Sequence, residues 1–385
     1  MKYHFMKIKQ YQYMGGQWKN NFTTSGFDAK QAQLILVFGE PGLITRQASF
    51  DEIRKFFPKG NIVSCSTAGE IMDEDVYDNS IAVTAIQFEK TAIKCCATHI
   101  DQHDNSYETG KYLMRELLAD GLNTVLVISD GTYVNGSELV SGLNENNPDN
   151  IPVTGGLAAD GDRFNKTFVG LDQVPEEGTV IAIGFYGNDL HIGHGYFGGW
   201  DEFGPLKKIT RAEKNVLYEI DGKNALDLYK EYLGPYKDEL PGSALLFPLS
   251  MQEEGSNEPV VRTILSINEQ DKSMVFAGNL PQGSTVRLMK ANFDKLIDGS
   301  SLAAQSAFTN LAGSNPELAL FISCVGRKLI LQARTNEEVA AAKDIFGENI
   351  PVAGFYSYGE ISPFAPLTRC ELHNQTMTIT TFSES

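Results

Sequence analysis

The feature that most constrains this fold is a stretch that occurs twice, near opposite ends of the chain. Asn61-Ile-Val-Ser-Cys-Ser-Thr-Ala-Gly-Glu-Ile71 lies without a gap on Pro351-Val-Ala-Gly-Phe-Tyr-Ser-Tyr-Gly-Glu-Ile361. A third, weaker relative is Pro152-Val-Thr-Gly-Gly-Leu-Ala-Ala-Asp-Gly161. Each follows a short apolar run and a helix-like segment: 34–38 and 49–57, 124–129 and 136–143, 318–323 and 336–346. Each leads into another alternating run, 81–88, 179–185 or 376–382. Self-similarity of this kind is read before anything else, because it sets the architecture. It predicts an α/β protein with mixed sheets flanked by helices, built from three strand–helix–strand–loop–strand units. In each unit the loop stands at the carboxyl end of a buried strand, where open α/β sheets keep their ligands.

With 385 residues the chain exceeds one ordinary core, so two domains are expected. The turn-rich stretch near 200–222 is the boundary. It gives an N-terminal extension 1–30, polar and irregular, then domains 31–205 and 206–385. Gly187-Asn188 reads as the turn of a hairpin between strands 178–186 and 189–196. Ser106 is the expected cap of an amphipathic helix 106–119. A net charge of −17 argues against nucleic acid and anionic membrane as partners, since phosphate binding needs a basic field. No apolar run approaches the ~20 residues of a membrane span, and residues 1–16 contain no secretory core. The five cysteines form no CxxC pair, which suits reduced thiols in cytoplasm.

Chemical motifs are sparse. Gly193-His-Gly195-Tyr-Phe-Gly198 fits the dinucleotide fingerprint but runs into Gly199-Trp-Asp-Glu-Phe-Gly204-Pro205, which opens no crossover helix. No phosphate loop is present. His191 and His194 would face opposite sides of one strand, so they do not form a metal pair. Glu70 and Glu360 occupy matching repeat positions. They can cap loops by accepting backbone N–H groups, or serve as an acid–base pair. Tyr356 and Tyr358 fall on one face of a strand between two glycines, where they are either core-edge aromatics or the walls of a pocket. The strand 376–382 is expected beside 350–354, which would bring His373 and Asn374 to the same place.

Several of these stretches together carry a family resemblance. They are Ser64-Cys-Ser-Thr-Ala-Gly-Glu-Ile71, Gly155-Gly-Leu-Ala-Ala-Asp160, Thr210-Arg-Ala-Glu-Lys-Asn215 with Asp221-Gly-Lys-Asn-Ala-Leu226, Gly354-Phe-Tyr-Ser-Tyr-Gly-Glu-Ile361, and Leu372-His-Asn-Gln-Thr-Met-Thr378. In this order, from about Gln31 onward, the chain resembles the FIST family of bacterial sensory domains, with an N-terminal and a C-terminal part. It departs at Gly198-Gly199-Trp200, where His-Gly-Trp is expected. The resemblance implies an intracellular, non-enzymatic sensor that binds a small ligand and acts on a separate histidine kinase or cyclic-dinucleotide enzyme. With no stretch left for an output module, the chain resembles the stand-alone branch, which includes haem-binding nitric-oxide sensors.

Three versions of the function follow. The leading one is a haem-based nitric-oxide sensor. The second is a sensor of an amino acid or related metabolite. The third, of a different class, is a hydrolase or isomerase using Glu70 or Glu360. The expected ligand-binding residues are Tyr356, Tyr358, Glu360, Asn374, Ser66 and Glu70. A haem would be held non-covalently, since there is no CxxCH, with His373 preferred to His194 as axial ligand. A histidine suits reversible gas binding better than a thiolate.

Overall fold

The computed structural model describes residues 6–385 apart from 257, 312 and 367. Three six-stranded sheets form the body, and they share one pattern. A central apolar strand (Leu34–Gly39, Leu122–Ser129 or Leu318–Cys324) pairs in parallel with the strand that follows it (Asn61–Ser66, Val153–Leu157 or Val352–Ser357). On its other side lies an antiparallel strand (Ile81–Gln87, Thr179–Tyr186 or Met377–Glu384). Beyond that lies a second antiparallel strand (Lys7–Met14, Ala92–His99 or Leu190–Phe197).

The free side of each parallel strand is closed by a strand from another sheet's chain segment. Glu70–Met72 pairs with Val352–Ser357, Gly359–Pro363 with Val153–Leu157, and Val169–Leu171 with Asn61–Ser66. The exchange runs once around all three sheets. It leaves no parallel strand as an open edge, the position most prone to unwanted pairing.

The central strands are apolar throughout because both of their faces are buried. Leu36 and Phe38, Leu126 and Ile128, and Leu320 and Ile322 share one interior cluster. Phe38 and Phe355 meet there with ring centroids 4.7 Å apart. The alternate residues face outward under helices. Ile35 and Val37 pack with Ile53 of the helix Gln47–Phe56. Val127 packs with Leu139 of Gly136–Glu145 and Leu113 of Ser106–Leu117, and Phe321 with Val339 of Thr335–Phe346 and Ala303 of Phe293–Thr309.

A fourth, eight-stranded sheet, drawn from residues 201–290, forms a lobe with its own apolar cluster around the helix Ala225–Leu233. The lobe enters the chain between the strand Leu190–Phe197 and the helix Phe293–Thr309. Leu190–Phe197 itself pairs with Met377–Glu384, so hydrogen-bonded sheet crosses position 205.

Four local expectations are corrected. Residues 7–14 and 17–23, expected as irregular, form a hairpin on Ile81–Gln87. Its inward positions Ile8, Gln10 and Gln12 include two buried glutamines, which disguise the alternation. No hairpin forms about Gly187-Asn188: Thr179–Tyr186 and Leu190–Phe197 lie in different sheets. Met377–Glu384 pairs with Leu318–Cys324 and not beside 350–354. The helix Ser106–Leu117 is capped by Asn105, whose side chain accepts from the Glu108 N–H, while the Ser106 hydroxyl accepts from the Asn135 N–H. Gly193 and Gly195 also find a structural use. A Cβ at either would stand 2.0 Å from a carbonyl oxygen of the helix Phe293–Thr309, so they let that helix lie against the strand.

Candidate functional site

The strand Leu122–Ser129 ends at Asp130, which is fully buried. Its carboxylate accepts from the N–H groups of Thr132 (2.8 Å), Tyr133 (2.6 Å) and Gly178 (3.1 Å). This folds residues 131–135 into a tight loop running into the helix Gly136–Glu145, whose N-cap is Asn135. Gly131 is required here, since a Cβ would stand 2.1 Å from the Ala158 carbonyl. Against this loop the chain crosses between sheets at Tyr358. Up to Ser357 it pairs with Leu318–Cys324, and from Gly359 with Val153–Leu157. Tyr358 is thereby turned away from Tyr356. Its hydroxyl donates to Asp160 and accepts from the Phe164 N–H at 3.0 Å. Its ring stacks on Phe164 at 4.6 Å.

The lobe closes the other side with Asn215, Leu265, Phe276, Ala277 and Gly278. Between lobe and body lies a cleft of about 370 Å³, walled also by Thr132, Tyr133, Val134, Leu157, Phe164 and Tyr358. It stands at the carboxyl end of a parallel strand, where the open-sheet rule puts it. Lobe and body are joined beside it by polar contacts. The Asn135 amide donates to Asn279 (3.1 Å), and the Asn279 N–H donates to the Ser137 hydroxyl (3.0 Å). Arg262, 1% exposed, reaches across to the Leu372 carbonyl (2.9 Å) and Glu371 (3.3 Å).

Of the residues expected from sequence, Tyr358 lines this cleft. Tyr356 is fully buried and donates to Glu338 at 2.6 Å. Glu338 in turn pairs with Arg327 at 2.8 Å, both side chains fully buried. Arg327 also donates to the carbonyls of Leu296 (2.7 Å) and Gly198, one on each side of the lobe insertion. Glu360 is buried and accepts from Ser357 (2.7 Å) and the Thr376 hydroxyl (2.9 Å), and burial pushes its pKa up to about 8. Glu70 repeats this arrangement with Thr67 and Ser80, both at 2.6 Å, and its pKa is also about 8 through burial. These two carboxylic acids tie loops together. Glu70 additionally borders a separate cavity of about 330 Å³ with Arg163 and Lys328. Ser66 is buried and accepts from the Phe168 N–H (2.9 Å). Asn374 is buried, its amide donating to the His373 carbonyl (3.0 Å).

The two candidate haem ligands sit in the packing between sheets. His373 has its Nε2 3.0 Å from the Ser362 carbonyl oxygen, with Tyr196 and Phe364 rings at 4.6 and 5.2 Å. His194 is buried, with neither ring nitrogen hydrogen-bonded. Burial holds both at a pKa of about 4. Neither lines the two cavities above. A haem plane needs a slot against an open ring nitrogen, and as packed these residues do not fit one. Among the described residues, no group of three or more His, Cys, Asp or Glu is placed to hold a metal ion. No helix among them is long and apolar enough to cross a membrane.

Sequence reasoning missed Thr132, Tyr133, Asn135, Phe164 and the five lobe residues of the cleft. The first three had a signal, an apolar strand ending in Ser129-Asp130-Gly131 before a helix. The others had none, because they arrive from distant segments.

Comparison with known proteins identifies a family. The FIST N domain matches residues 33–223 and the FIST C domain residues 225–363. An uncharacterized protein of Methanocaldococcus jannaschii is 24% identical over 326 residues, 75% of this chain and 59% of its own. An uncharacterized protein of Mycobacterium tuberculosis is 25% identical over 237 residues, 59% of this chain and 60% of its own. The chain thus spans about three fifths of the length of these relatives. FIST domains are signal-transduction sensor domains that bind small ligands. With both parts matched in order along most of its length, the chain belongs to the FIST domain family.

Proposed function

We propose that this protein senses a small metabolite in the cleft between lobe and body, and passes the signal by contact to a separate histidine kinase or cyclic-dinucleotide enzyme. The observation that carries the reading is the cleft itself. Its volume, about 370 Å³, lies in the range of small-molecule sites. Its walls come from two bodies, so a ligand that touches both favours the arrangement it binds best. A ligand shifts a conformational balance only through such a difference in affinity.

The test is a thermal-shift screen of small polar metabolites on the whole protein and on Ala277→Trp, which fills the cleft from the lobe side. Compounds that raise Tm in the wild type are expected to lose that effect in the variant. Equal shifts in both would place the ligand elsewhere. For the output, autophosphorylation of a co-encoded kinase is expected to change when the protein is saturated with its ligand; an unchanged rate removes the kinase.

A haem-based version rests on His194, a buried imidazole with both nitrogens unpaired. It requires the packing between sheets to open. Soret absorbance of freshly purified protein, with its loss in His194→Ala or His373→Ala, supports it, and a colourless, haem-refractory protein removes it.

A further inference from the structure

We propose that the cleft takes an uncharged planar heterocycle, of the size of a purine or pyrimidine base or nucleoside, in preference to a zwitterionic amino acid. This rests on the reading of the cleft as the ligand site and names the class of ligand.

The side chains lining the cleft are apolar, aromatic, hydroxyl or amide, and none is charged. Carboxylates next to lining residues in the chain or bonded to them are already engaged, Glu138 in an ion pair with Lys214 at 2.9 Å. Asp130 is buried behind the loop and accepts from three backbone N–H groups. Asp160, 3% exposed, accepts from the Asn165 and Lys166 N–H groups and the Tyr358 hydroxyl. An ammonium or carboxylate entering the cleft would give up water without meeting a counter-charge, which is costly. A phosphate would lack the basic groups that phosphate sites use.

Phe164 points to a flat ligand. Its φ is +48°, a left-handed conformation that is strained for a bulky side chain. It is held there by its N–H bond to the Tyr358 hydroxyl and by the stack on the Tyr358 ring. Yet the residue is 43% exposed, so core burial does not account for a phenylalanine at this place. A glycine would fit the backbone better. What the aromatic ring adds is a flat, partly solvent-facing surface on the wall of the cleft, which the exposed Tyr133 also lines. Flat heterocycles stack on such surfaces, and they do so whatever the base, since every base has a π-face.

Thr132 approaches from the body and Asn215 from the lobe; Asn135 is taken up by the helix cap and by Asn279, and Asn215 spends one of its two amide N–H groups on the Phe276 carbonyl. Amide side chains both donate and accept, as the edges of neutral bases do. An edge bonded to Asn215 while the ring stacks on Phe164 would bridge lobe and body.

The experiment is calorimetric titration of the whole protein at pH 7 with adenosine, guanosine, cytidine, uridine and their free bases. Adenosine monophosphate and leucine are the charged comparisons, and the proteins are wild type, Ala277→Trp, Phe164→Gly and Asn215→Ala. We expect at least one neutral compound to bind the wild type, at least about tenfold tighter than its monophosphate where that is the adenosine series. We expect Phe164→Gly to weaken it by about tenfold or more, the scale of one aromatic stack, with Tm changed little because relief of the left-handed backbone offsets the lost stack on Tyr358. Asn215→Ala should weaken it several-fold at a temperature where the variant is fully folded, with some loss of Tm because this amide also donates to the Phe276 carbonyl at 2.9 Å. Full affinity in Phe164→Gly overturns the proposal. So does leucine binding that Ala277→Trp abolishes while every neutral heterocycle fails, a result that leaves the cleft as the sensor's site. Metabolite-induced Tm shifts that persist in Ala277→Trp remove the cleft reading, and the proposal with it.

Discussion

Glu70 and Glu360 show what burial does to a single residue in this fold. Each holds its proton to a pKa of about 8 because desolvation penalises the carboxylate more than its hydroxyl neighbours favour it. An unfolded glutamate ionises near ~4.3. Between that value and about 8 the folded state keeps a proton that the unfolded state has released. The stability this contributes is complete below ~4.3 and is lost as pH rises through the folded value. The buried histidines act oppositely and lower down. His194 and His373, held at about 4, stay neutral while unfolded histidine charges below ~6.5, so their contribution is lost as pH falls. From pH 6.5 to 8 the carboxyl groups therefore dominate. Urea midpoints are expected to fall across that window in the wild type, and to fall less in Glu70→Gln and Glu360→Gln; a flat wild-type profile contradicts the assignment. Tyr356→Phe removes the hydroxyl that donates to the buried Glu338. A cost of roughly 1.5–3 kcal/mol is expected from denaturant unfolding, the scale of a hydrogen bond to a charged group, and a neutral result would mean that Glu338 is satisfied by Arg327 and the Ser323 hydroxyl.

At the scale of elements, two glycines set how closely the parallel strands pair. A Cβ on Gly155 would stand 1.8 Å from the Val127 carbonyl oxygen, and one on Gly354 would stand 1.9 Å from that of Phe321. Gly155→Ala and Gly354→Ala are each expected to destabilise by about 1–3 kcal/mol or more through forced separation, read as a lower urea midpoint; tolerance of either would mean the strands can slide apart cheaply. The central strands were legible from sequence because both faces are apolar, and their helices because the spacing was helical. The N-terminal hairpin was not, since Gln10 is buried and satisfied by donating to the Val352 carbonyl at 2.9 Å, a partner far along the chain. Nor was the fate of Gly187-Asn188 legible. Turn chemistry reports that a chain can reverse, not which sheet the next strand joins. Strand parity puts Tyr356 and Tyr358 on one face, and the change of sheet at Tyr358 breaks that parity. One tyrosine thus goes to a buried ion pair and the other to the cleft.

At the scale of the whole molecule, three sheets exchange strands around one core, and the lobe of residues 201–290 is set into a single point of that ring. Arg327 binds carbonyls on both sides of the insertion, Gly198 and Leu296, so the two chain ends lie close together. Replacing 201–290 by a short glycine linker is therefore expected to leave a folded body, judged by a cooperative thermal transition and unchanged protection of the central strands. Ligand-induced stabilisation should vanish, because half of the cleft is gone; retained stabilisation would put the site wholly in the body. On the proposed reading the sensed molecule sits between lobe and body. The most direct measurement is hydrogen–deuterium exchange of the whole protein, with and without the compound that raises its Tm most. Protection is expected together in residues 131–136, around Phe164 and in residues 276–278. Protection confined to the region of Glu70 and Lys328, or absent from both sides of the cleft, would contradict it.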